Sequence, residues 1–325
     1  MPAAAADTAH ADRVASAIAA LDHPANEVST GVPLGPLTTY RVGGPAAVFV
    51  RVGDPAGLTA VAQAVQASGL APLVIGRGSN LLVADSGYDG IAVSLGPFSD
   101  HISIDVEHSV VTAGSAVRLP VLARQTAAAG LTGFEWAVGV PGSIGGAVRM
   151  NAGGHGSDMS ASLIDVDLVD LADADADADG AVQTRSADQL GLRFRGSGLG
   201  PTDVVLSARL QLAPGDVATA EAEIKEIVTW RRVNQPGGQN AGSVFVNPVP
   251  GEVSAGLLID RCGLRGHRIG SAAVSDVHAN FIQADDGGSA DDVVRLMQHV
   301  RATVLEQTGY AMRSEIRLIG FAAPW

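Results

Sequence analysis

The stretch VIGRGSNLLV, residues 74–83, decides the fold: it is a glycine loop that joins two short apolar runs. Before it, the pattern predicts a strand over 46–52 and, from Asp54-Pro55 onward, an amphipathic helix. The order strand, helix, strand and glycine loop is typical of the beginning of an α/β arrangement. The two glycines let successive backbone N–H groups point into one concavity, where a phosphate or diphosphate would bind.

A second glycine loop, GVPGSIGGA, covers residues 139–147 and is flanked by Trp136 and Asn151. It is apolar and dense in glycine, so a flat ring could lie against its bare backbone. Each loop taken singly is more often an ordinary turn. Two such loops in one domain favour the binding of a large phosphorylated cofactor.

Downstream, the pattern predicts a helix from Pro120 to Gly130, with strands over 90–95, 101–106 and 110–113 before it. Residues 163–171 and 182–185 are typical of a hairpin whose loop alternates Asp and Ala from Asp170 to Asp179. Alternate carboxylates suggest calcium, but the mixed ligands and bidentate glutamate of a calcium loop are missing. We therefore expect a solvated hairpin tip.

The best linker signal is Ala213-Pro214-Gly215, which follows a predicted strand over 203–212. Beyond it we predict helices over 216–232, 255–261 and 290–307 and a terminal strand over 311–320. The fold class is therefore α+β, in three segments: a tail (1–10) and helix within residues 1–30, a large strand-rich domain over 31–213, and a smaller domain over 214–325.

Composition excludes several functional classes. The charge is 21 − 34 = −13, which makes the chain a poor candidate for binding nucleic acid or an anionic membrane. Cys262 is the only cysteine, so an internal disulfide is excluded, and we expect it to be inert core. The eight histidines lack ligand spacing, so we predict no metal site. Together with acids near the N-terminus, these features indicate a soluble cytoplasmic protein.

Common catalytic motifs are missing from the sequence: GxGxxG, GxxxxGK[ST], GxSxG and HExxH. Seven stretches instead resemble the UDP-N-acetylenolpyruvoylglucosamine reductase family, in the family's order between residues 37 and 320. They are TTYRVGGPA (38–46), VIGRGSNLLV (74–83), GFEWAVGVPGSIGGAVRMNAGGHG (133–156), FRGS (194–197), QPGGQNAGSVFVNP (235–248), AGLLIDRCGLRGHRIGSAAVSDVHANFI (255–282) and SEIR (314–317).

The resemblance implies a two-lobed FAD-binding domain of the vanillyl-alcohol-oxidase type, followed by a C-terminal substrate-binding domain. It implies that FAD is held non-covalently and is reduced by NADPH, in a cytoplasmic enzyme of peptidoglycan synthesis. The substrate would be UDP-N-acetylglucosamine enolpyruvate, and the product UDP-N-acetylmuramate. We expect a monomer.

By the same resemblance, three side chains carry the chemistry. Arg195 would face the carboxylate and the negative charge that develops beside it, because a guanidinium is permanently charged and binds carboxylates in bidentate fashion. Glu315 would hydrogen-bond the enol in its protonated form, which requires burial. Ser243 would deliver the proton to the carbon next to the ether. Without the resemblance, a surface ion pair, an exposed strand residue and a turn hydroxyl are the simpler interpretations.

The resemblance also implies the binding residues. Contacts to the cofactor are predicted for Tyr40, Arg41, Val74, Ile75, Gly76, Arg77, Gly78, Ser79, Asn80, Leu81, Gly139, Pro141, Gly142, Ser143, Gly145, Gly146 and Ala147. Contacts to the substrate are predicted for Arg232, Gln235, Asn247, His278 and Asn280, with Arg231 as a further candidate beside Arg232. For Arg231, Arg232 and Gln235, a solvated helix end is an equally good interpretation. For His278 and Asn280, the alternative is that they only brace the site.

The chain departs from the family at a few positions. Phe194 stands where the family usually has Tyr, Val246 replaces a frequent Lys, and Ser314 replaces a common Pro. Only the 47 residues from 196 to 242 separate Arg195 from Ser243, so the long insertion of some members is missing and closure over the substrate should differ.

Two alternatives remain open. The first is an FAD-linked oxidase of the same superfamily, in which a histidine of the first glycine loop often binds the cofactor covalently; Arg77-Gly78-Ser79-Asn80 contains none. The second is a non-catalytic flavin-binding or nucleotide-binding regulator. The presence of Arg195, Ser243 and Glu315 argues against it.

Overall fold

In the computed structural model, the described residues are 2–173 and 182–322. They form two compact units, each built from three separate stretches of chain. Unit 1 takes the residues up to Val32 together with Ala46–Arg77 and Asp89–Thr229. Unit 2 takes Pro33–Pro45, Gly78–Tyr88 and the residues from Trp230 onward. The chain thus passes from unit 1 to unit 2 within the first glycine loop, and the predicted domain limits at 30 and 213 stay a prediction.

The α-helices are α1 (Pro2–Ala20), α2 (Ala56–Ser68), α3 (Leu119–Ala128), α4 (Ile144–Met150), α5 (Val217–Asn234), α6 (Ala255–Arg261) and α7 (Ala290–Thr308). The strands are β1 (Asn26–Pro33), β2 (Pro45–Val52), β3 (Pro72–Val74), β4 (Leu81–Val83), β5 (Tyr88–Leu95), β6 (Ile102–Asp105), β7 (Val110–Gly114), β8 (Leu131–Thr132), β9 (Gly153–Gly154), β10 (Ser157–Asp158), β11 (Leu163–Asp170), β12 (Val182–Ser186), β13 (Asp203–Gln211), β14 (Ala213–Pro214), β15 (Arg268–Ile269), β16 (Ala272–Val274), β17 (Ile282–Ala284) and β18 (Arg317–Ile319).

The two larger sheets of unit 1, of four and five strands, each have their own apolar core. The four-stranded sheet has the order β1-β2-β5-β3, and the buried side chains of β2 alternate along the strand, as a half-buried strand requires. Its core also includes Leu58 and Val61 of the predicted α2 stripe. The five-stranded antiparallel sheet has the order β12-β11-β13-β7-β6, and its core includes Phe134, Trp136 and Ile144. Two cores in one unit agree with the expected two lobes.

Unit 2 is organised around α7, whose apolar face packs with α6 and the three-stranded sheet β15-β16-β17. β4 pairs with β18 in parallel, with Leu81 opposite Arg317. The Asp85 carboxylate follows β4 and accepts hydrogen bonds from the first N–H groups of α7, at Ala290 (2.9 Å) and Asp291 (3.1 Å). It therefore satisfies backbone donors that the helix cannot satisfy itself.

The predicted hairpin, the helices downstream of the linker and most strands are confirmed within a few residues. The prediction of a tail over residues 1–10 was wrong, because the first helix begins at Pro2. The terminal strand is confined to Arg317–Ile319. Most of the Asp-Ala loop, residues 174–181, lies outside the described residues.

The predicted linker at Ala213-Pro214-Gly215 stays a prediction, although its first two residues belong to a strand. Ala213 and Pro214 form β14, which pairs with β8 of the same unit. The first half of α5 then packs Ala220, Ile224 and Ile227 into the core around Trp136, so the chain leaves unit 1 only between Thr229 and Trp230. Proline at an edge strand and a following glycine produce the composition of a linker without its freedom.

Within residues 2–173 and 182–322, no helix is long and apolar enough to cross a membrane. In the same ranges, no group of His, Cys, Asp and Glu side chains is arranged to hold a metal ion. Cys262 ends α6, is half-buried and packs against the core of unit 2. Burial raises the pKa of its thiol, which agrees with an unreactive residue.

Candidate active site

The first glycine loop leaves consecutive backbone donors without an acceptor. β3 ends where the Ile75 N–H donates to Val93 O (2.8 Å). Within the described residues, the N–H groups from Gly76 to Asn80 then donate to nothing. Gly78, in unit 2, is buried, and buried N–H groups are rarely left unpaired in proteins unless a ligand or water binds them.

Gly78 requires glycine on two counts. Its φ is +59°, and a Cβ would lie 2.3 Å from Leu37 O. Its own carbonyl accepts from the Thr39 N–H (3.3 Å), so the loop lies against the TTYRVGG stretch of unit 2. Thr39 Oγ1 is buried and has no hydrogen-bond partner among the described residues. This hydroxyl was missed from the sequence; its proximity to the loop depends on a contact between distant residues.

In unit 1 the two glycine loops come together. A Cβ on Gly76 would lie 2.6 Å from Ser143 Oγ of the second loop. The second loop is fixed by the Leu119 N–H, which donates to Gly142 O (3.1 Å), and by the Gly145 N–H, which donates to Ser115 O (3.0 Å). Gly145 approaches Ser115 closely, because a Cβ there would lie 2.9 Å from Ser115 Cβ.

Among the polar groups of unit 1 that are buried without a partner in the described part of the chain are Ser115 Oγ and the Trp136 indole N–H. Ser115 was missed from the sequence, and its only signal is a small polar residue directly after β7. An unpaired buried hydroxyl costs stability unless a ligand satisfies it. Ser115 is therefore a candidate cofactor contact beside Ser143 and Gly145.

Arg195 lies at the tip of a tight turn in unit 1. The Arg193 N–H donates to Gly196 O (2.9 Å), and the Gly196 N–H donates to Arg193 O (3.0 Å). This turn gives Arg195 a φ of +56°, in the left-handed region that residues other than glycine rarely adopt. The guanidinium carbon lies 5.0 Å from the centre of the Phe194 ring, within range of a cation–π contact. Backbone strain of this kind is concentrated at functional sites.

Ser243 and Glu315 are carried by neighbouring segments of unit 2. Phe245 pairs with Ser314 as an antiparallel bridge, and the Glu315 N–H donates to Val244 O (2.8 Å). Glu315 is held from its other side by Asn80 of the first glycine loop, whose side-chain amide donates to Glu315 O (3.2 Å). The segments bearing Ser243 and Glu315 are thus fixed to one another by backbone bonds, and the Asn80 side chain fixes the first glycine loop to Glu315.

Asn280 braces the segment that carries Ser243, and its predicted contact to the substrate stays a prediction. Its side chain is 4% exposed, and it brackets the residue two after Ser243. Oδ1 accepts from the Phe245 N–H (3.0 Å), and Nδ2 donates to Phe245 O (2.8 Å). Both polar ends are therefore occupied by backbone, and the bonds account for Asn280 as a support of the Ser243 segment.

Of the other predicted contact residues, Tyr40 and Asn247 already bond within the protein, whereas Arg41 is exposed. Tyr40 is fully buried in the core of unit 2, its hydroxyl donates to Ile282 O (3.0 Å) and burial raises its pKa, while its predicted contact to the cofactor stays a prediction. Asn247 Oδ1 accepts from the Ala255 N–H (3.0 Å) at the start of α6. Arg41 remains a candidate, because it is exposed and has a φ of +57°.

The end of α5 presents Arg232 and Gln235 in unit 2. Arg232 is exposed. Gln235 Oε1 is buried and has no hydrogen-bond partner among the described residues, which fits an acceptor for a ligand donor. His278 is half-buried, its Nδ1 accepts from the Asn280 N–H (3.3 Å), and burial with the nearby Arg265 charge lowers its pKa. A neutral imidazole therefore stands beside Asn280 at neutral pH.

Family comparisons match both ends of the chain. Residues 233–319 match the family described as "UDP-N-acetylenolpyruvoylglucosamine reductase, C-terminal domain", and residues 46–176 match the FAD binding domain family. The UDP-N-acetylenolpyruvoylglucosamine reductase of Gloeobacter violaceus is 41% identical over 303 residues, covering 92% of this chain and 99% of that protein. That of Bacillus subtilis is 37% identical over 297 residues, covering 90% and 94%.

Solved structures agree. The crystal structure of the Thermus caldophilus UDP-N-acetylenolpyruvylglucosamine reductase has a TM-score of 0.74 and 32% identity, covering 90% of this chain and 98% of that chain. Physcomitrella patens BBE-like 1 has a TM-score of 0.55 at 14% identity, covering 91% and 89%, a likeness of fold alone. The α+β fold with an FAD-binding domain and the FAD prediction are thereby confirmed. The chain belongs to the UDP-N-acetylenolpyruvoylglucosamine reductase family of FAD-binding oxidoreductases.

Proposed function

We propose that this chain reduces the enolpyruvyl ether of UDP-N-acetylglucosamine enolpyruvate to UDP-N-acetylmuramate, with NADPH as electron donor, in cytoplasmic peptidoglycan precursor synthesis. The observation that carries the proposal is the similarity to the UDP-N-acetylenolpyruvoylglucosamine reductase of Gloeobacter violaceus, which extends over nearly the whole of both chains. Residues predicted to do the chemistry lie in both units: Arg195 in unit 1, Ser243 and Glu315 in unit 2.

The residues present fit FAD. In unit 2, the unpaired N–H groups from Gly78 to Asn80 suit a phosphate group, because each can donate to a phosphate oxygen at close range. In unit 1, Ser115 offers a buried hydroxyl that lacks a partner within the described residues. Gly146 is exposed, so its bare backbone can lie against a ring. When bound, the flavin supplies the hydride that adds to the enolpyruvyl double bond.

Arg195 binds the substrate carboxylate and stabilises the negative charge that develops next to it. A guanidinium keeps its charge at every physiological pH, and its fixed fork suits two carboxylate oxygens. The strained turn supports this role. Its left-handed conformation destabilises the protein, and a residue without a function would not be expected to retain it. Such preorganised charge is commonly the largest single contribution to catalysis.

Ser243 Oγ donates the proton to the carbon next to the ether oxygen, and Glu315 hydrogen-bonds the enol. Support comes from the contacts that fix both residues. Val244 is bonded through its N–H to Asn280 O (2.8 Å) and through its carbonyl to the Glu315 N–H (2.8 Å). A positioned proton donor contributes about 10²–10⁴-fold in rate, and only while its position is held.

Arg232 and Gln235 bind the uridine diphosphate part of the substrate. Arg232 is exposed at the end of α5, where a charge can meet a phosphate. The buried, unpaired Gln235 Oε1 can accept from a substrate N–H or hydroxyl.

Incubation of the FAD-loaded protein with NADPH and UDP-N-acetylglucosamine enolpyruvate tests the proposal. We expect NADPH oxidation that depends on the substrate, and a product heavier by two hydrogens in mass spectrometry. NADPH oxidation that depends on oxygen and not on the substrate would support the FAD-linked oxidase instead.

A further inference from the structure

We propose that Asn151 is a positioning residue for Arg195. It would hold the turn that carries the guanidinium against the end of α4, so that the second glycine loop and the Arg195 turn form one rigid assembly within unit 1. The inference rests on the proposed function, because it concerns the step in which Arg195 meets the substrate.

Asn151 is 4% exposed, ends α4 and has a φ of 39°. Its side-chain amide makes hydrogen bonds at both ends. Nδ2 donates to Arg193 O (3.3 Å), the first residue of the Arg195 turn, and to Asp158 Oδ2 (3.2 Å). Oδ1 accepts from the Ser160 N–H (2.9 Å). The amide therefore joins the helix end to the base of the turn.

The far side of the turn is held by the same helix end. Ser197 Oγ donates to Arg149 O (2.8 Å). The Arg149 guanidinium donates to Gly200 O (2.9 Å) and to Asp203 O. Residues on both sides of Arg195 are thus bonded to the last turn of α4.

The other end of α4 is the second glycine loop, because the helix begins directly after Ser143. Seven residues at about 1.5 Å each make α4 a strut of about 10 Å. Its length and rigidity set the separation between the loop predicted to hold the flavin and the turn that carries Arg195.

The residue type at position 151 supports this role. A helix that ends in the left-handed conformation most often uses glycine there, and asparagine is the usual second choice. Glycine would satisfy the backbone alone. Asparagine also provides the amide that binds Arg193 O, which explains its presence at a buried position.

Asn151→Gly is the informative variant, because it keeps the backbone conformation and removes only the amide. The two half-reactions are measured by anaerobic stopped-flow absorbance of the flavin. We expect reoxidation by UDP-N-acetylglucosamine enolpyruvate to slow by about 10–100-fold, since a misplacement of about 1 Å can cost that much. Reduction by NADPH should stay within about twofold.

A double-mutant cycle separates positioning from general damage. In an Arg195→Ala background, Asn151→Gly should add no further loss, because its effect acts through the absent guanidinium. Ser160→Ala is the matched control: it removes the Ser160 hydroxyl bond to Asp158 and leaves the bond to Arg193 in place. It should behave as the unsubstituted protein in both half-reactions.

A second readout needs no cofactor. Hydrogen exchange of the flavin-free protein should be faster over residues 193–197 in Asn151→Gly, where the Gly196 N–H is bonded across the turn, and unchanged in Ser160→Ala. If Asn151→Gly does not fold, Ser197→Ala removes the opposite support and should show the same pattern with a smaller loss.

Normal reoxidation in Asn151→Gly, or an equal additional loss in the Arg195→Ala background, would overturn the proposal. A failure of the unsubstituted protein to be reoxidised by this substrate would instead overturn the proposed function. In that case hydrogen exchange alone still decides whether Asn151 holds the turn.

Discussion

Arg195 occupies a backbone conformation in which glycine would be the more stable residue, so its side chain must account for the strain. We predict that Arg195→Gly is more stable than Arg195→Ala by about 1 kcal/mol, because only the Ala variant keeps a Cβ in the left-handed region. Urea unfolding of both variants measures the difference.

Both variants should lose substrate-driven flavin reoxidation to the same extent, since both lack the guanidinium. A Gly variant that is no more stable than the Ala variant would show that the turn relaxes and that strain says nothing about Arg195. We therefore expect an Arg195→Gly variant that is more stable than Arg195→Ala and equally inactive, as expected where function requires a strained residue.

His278 should make stability depend on pH. Burial and the Arg265 charge hold its pKa below the ordinary value of 6.5, so the unfolded chain binds this proton more readily than the folded one. The stability that the neutral imidazole contributes is therefore fully present above about 6.5 and is lost as the pH falls below it.

Urea midpoints of the unsubstituted protein and of His278→Gln, measured from pH 8 to pH 5, check this prediction. The unsubstituted protein should lose stability more steeply below pH 6.5. Parallel curves would contradict it, since the other histidines are common to both proteins.

At the residue scale, the sequence predicted which stretches matter better than what each side chain does. The family resemblance pointed to Asn280 and Tyr40 as ligand contacts, and it gave no sign that the first supports Phe245 or that the second lies in the core. Ser115 and Thr39 were missed, because an unpaired buried hydroxyl is visible only when its surroundings are known.

Among elements, α4 and its loop offer a sharp test of the flavin site. Gly145 and Gly146 are neighbours, but a Cβ would meet Ser115 Cβ at 2.9 Å on the first and nothing closer than Ser143 Oγ at 3.9 Å on the second. We predict that Gly145→Ala destabilises the protein, whereas Gly146→Ala is neutral or stabilising by up to about 1 kcal/mol, as expected for Ala in a helix.

Gly146→Ala should nevertheless weaken FAD binding, because the added methyl group takes space that the protein leaves open for a ring. Unfolding of the flavin-free variants and titration by quenching of flavin fluorescence measure the two effects separately. Unchanged FAD affinity in Gly146→Ala would remove Gly146 from the cofactor site.

Helix α5 shows why sequence composition does not reveal where one compact unit ends. Its periodicity correctly predicted a helix, but periodicity does not say which core an element joins. Ala220, Ile224 and Ile227 bind it to the core of unit 1, and the passage to unit 2 falls inside the helix, where composition gives no signal.

At the scale of the whole molecule, the interleaving of the two units could not be predicted from local patterns. Unit 2 combines Gly78–Tyr88 with the C-terminal stretch, and β4 pairs with β18 across most of the chain. Local periodicity identified those segments and left their partners open. The resemblance supplied the family and the order of its motifs, and the division into units required the contacts themselves.

We propose that the chain runs two half-reactions and that Ser243 serves only the second. The most direct test is an anaerobic absorbance trace of the FAD-loaded protein, reduced with one equivalent of NADPH and then mixed with UDP-N-acetylglucosamine enolpyruvate. We predict that the oxidised flavin band returns on mixing, and that Ser243→Ala is reduced normally but reoxidised at least about 100-fold more slowly. A band that returns only with oxygen would contradict the proposed reduction of this substrate, and equal slowing of both half-reactions in Ser243→Ala would contradict the role of Ser243 as proton donor.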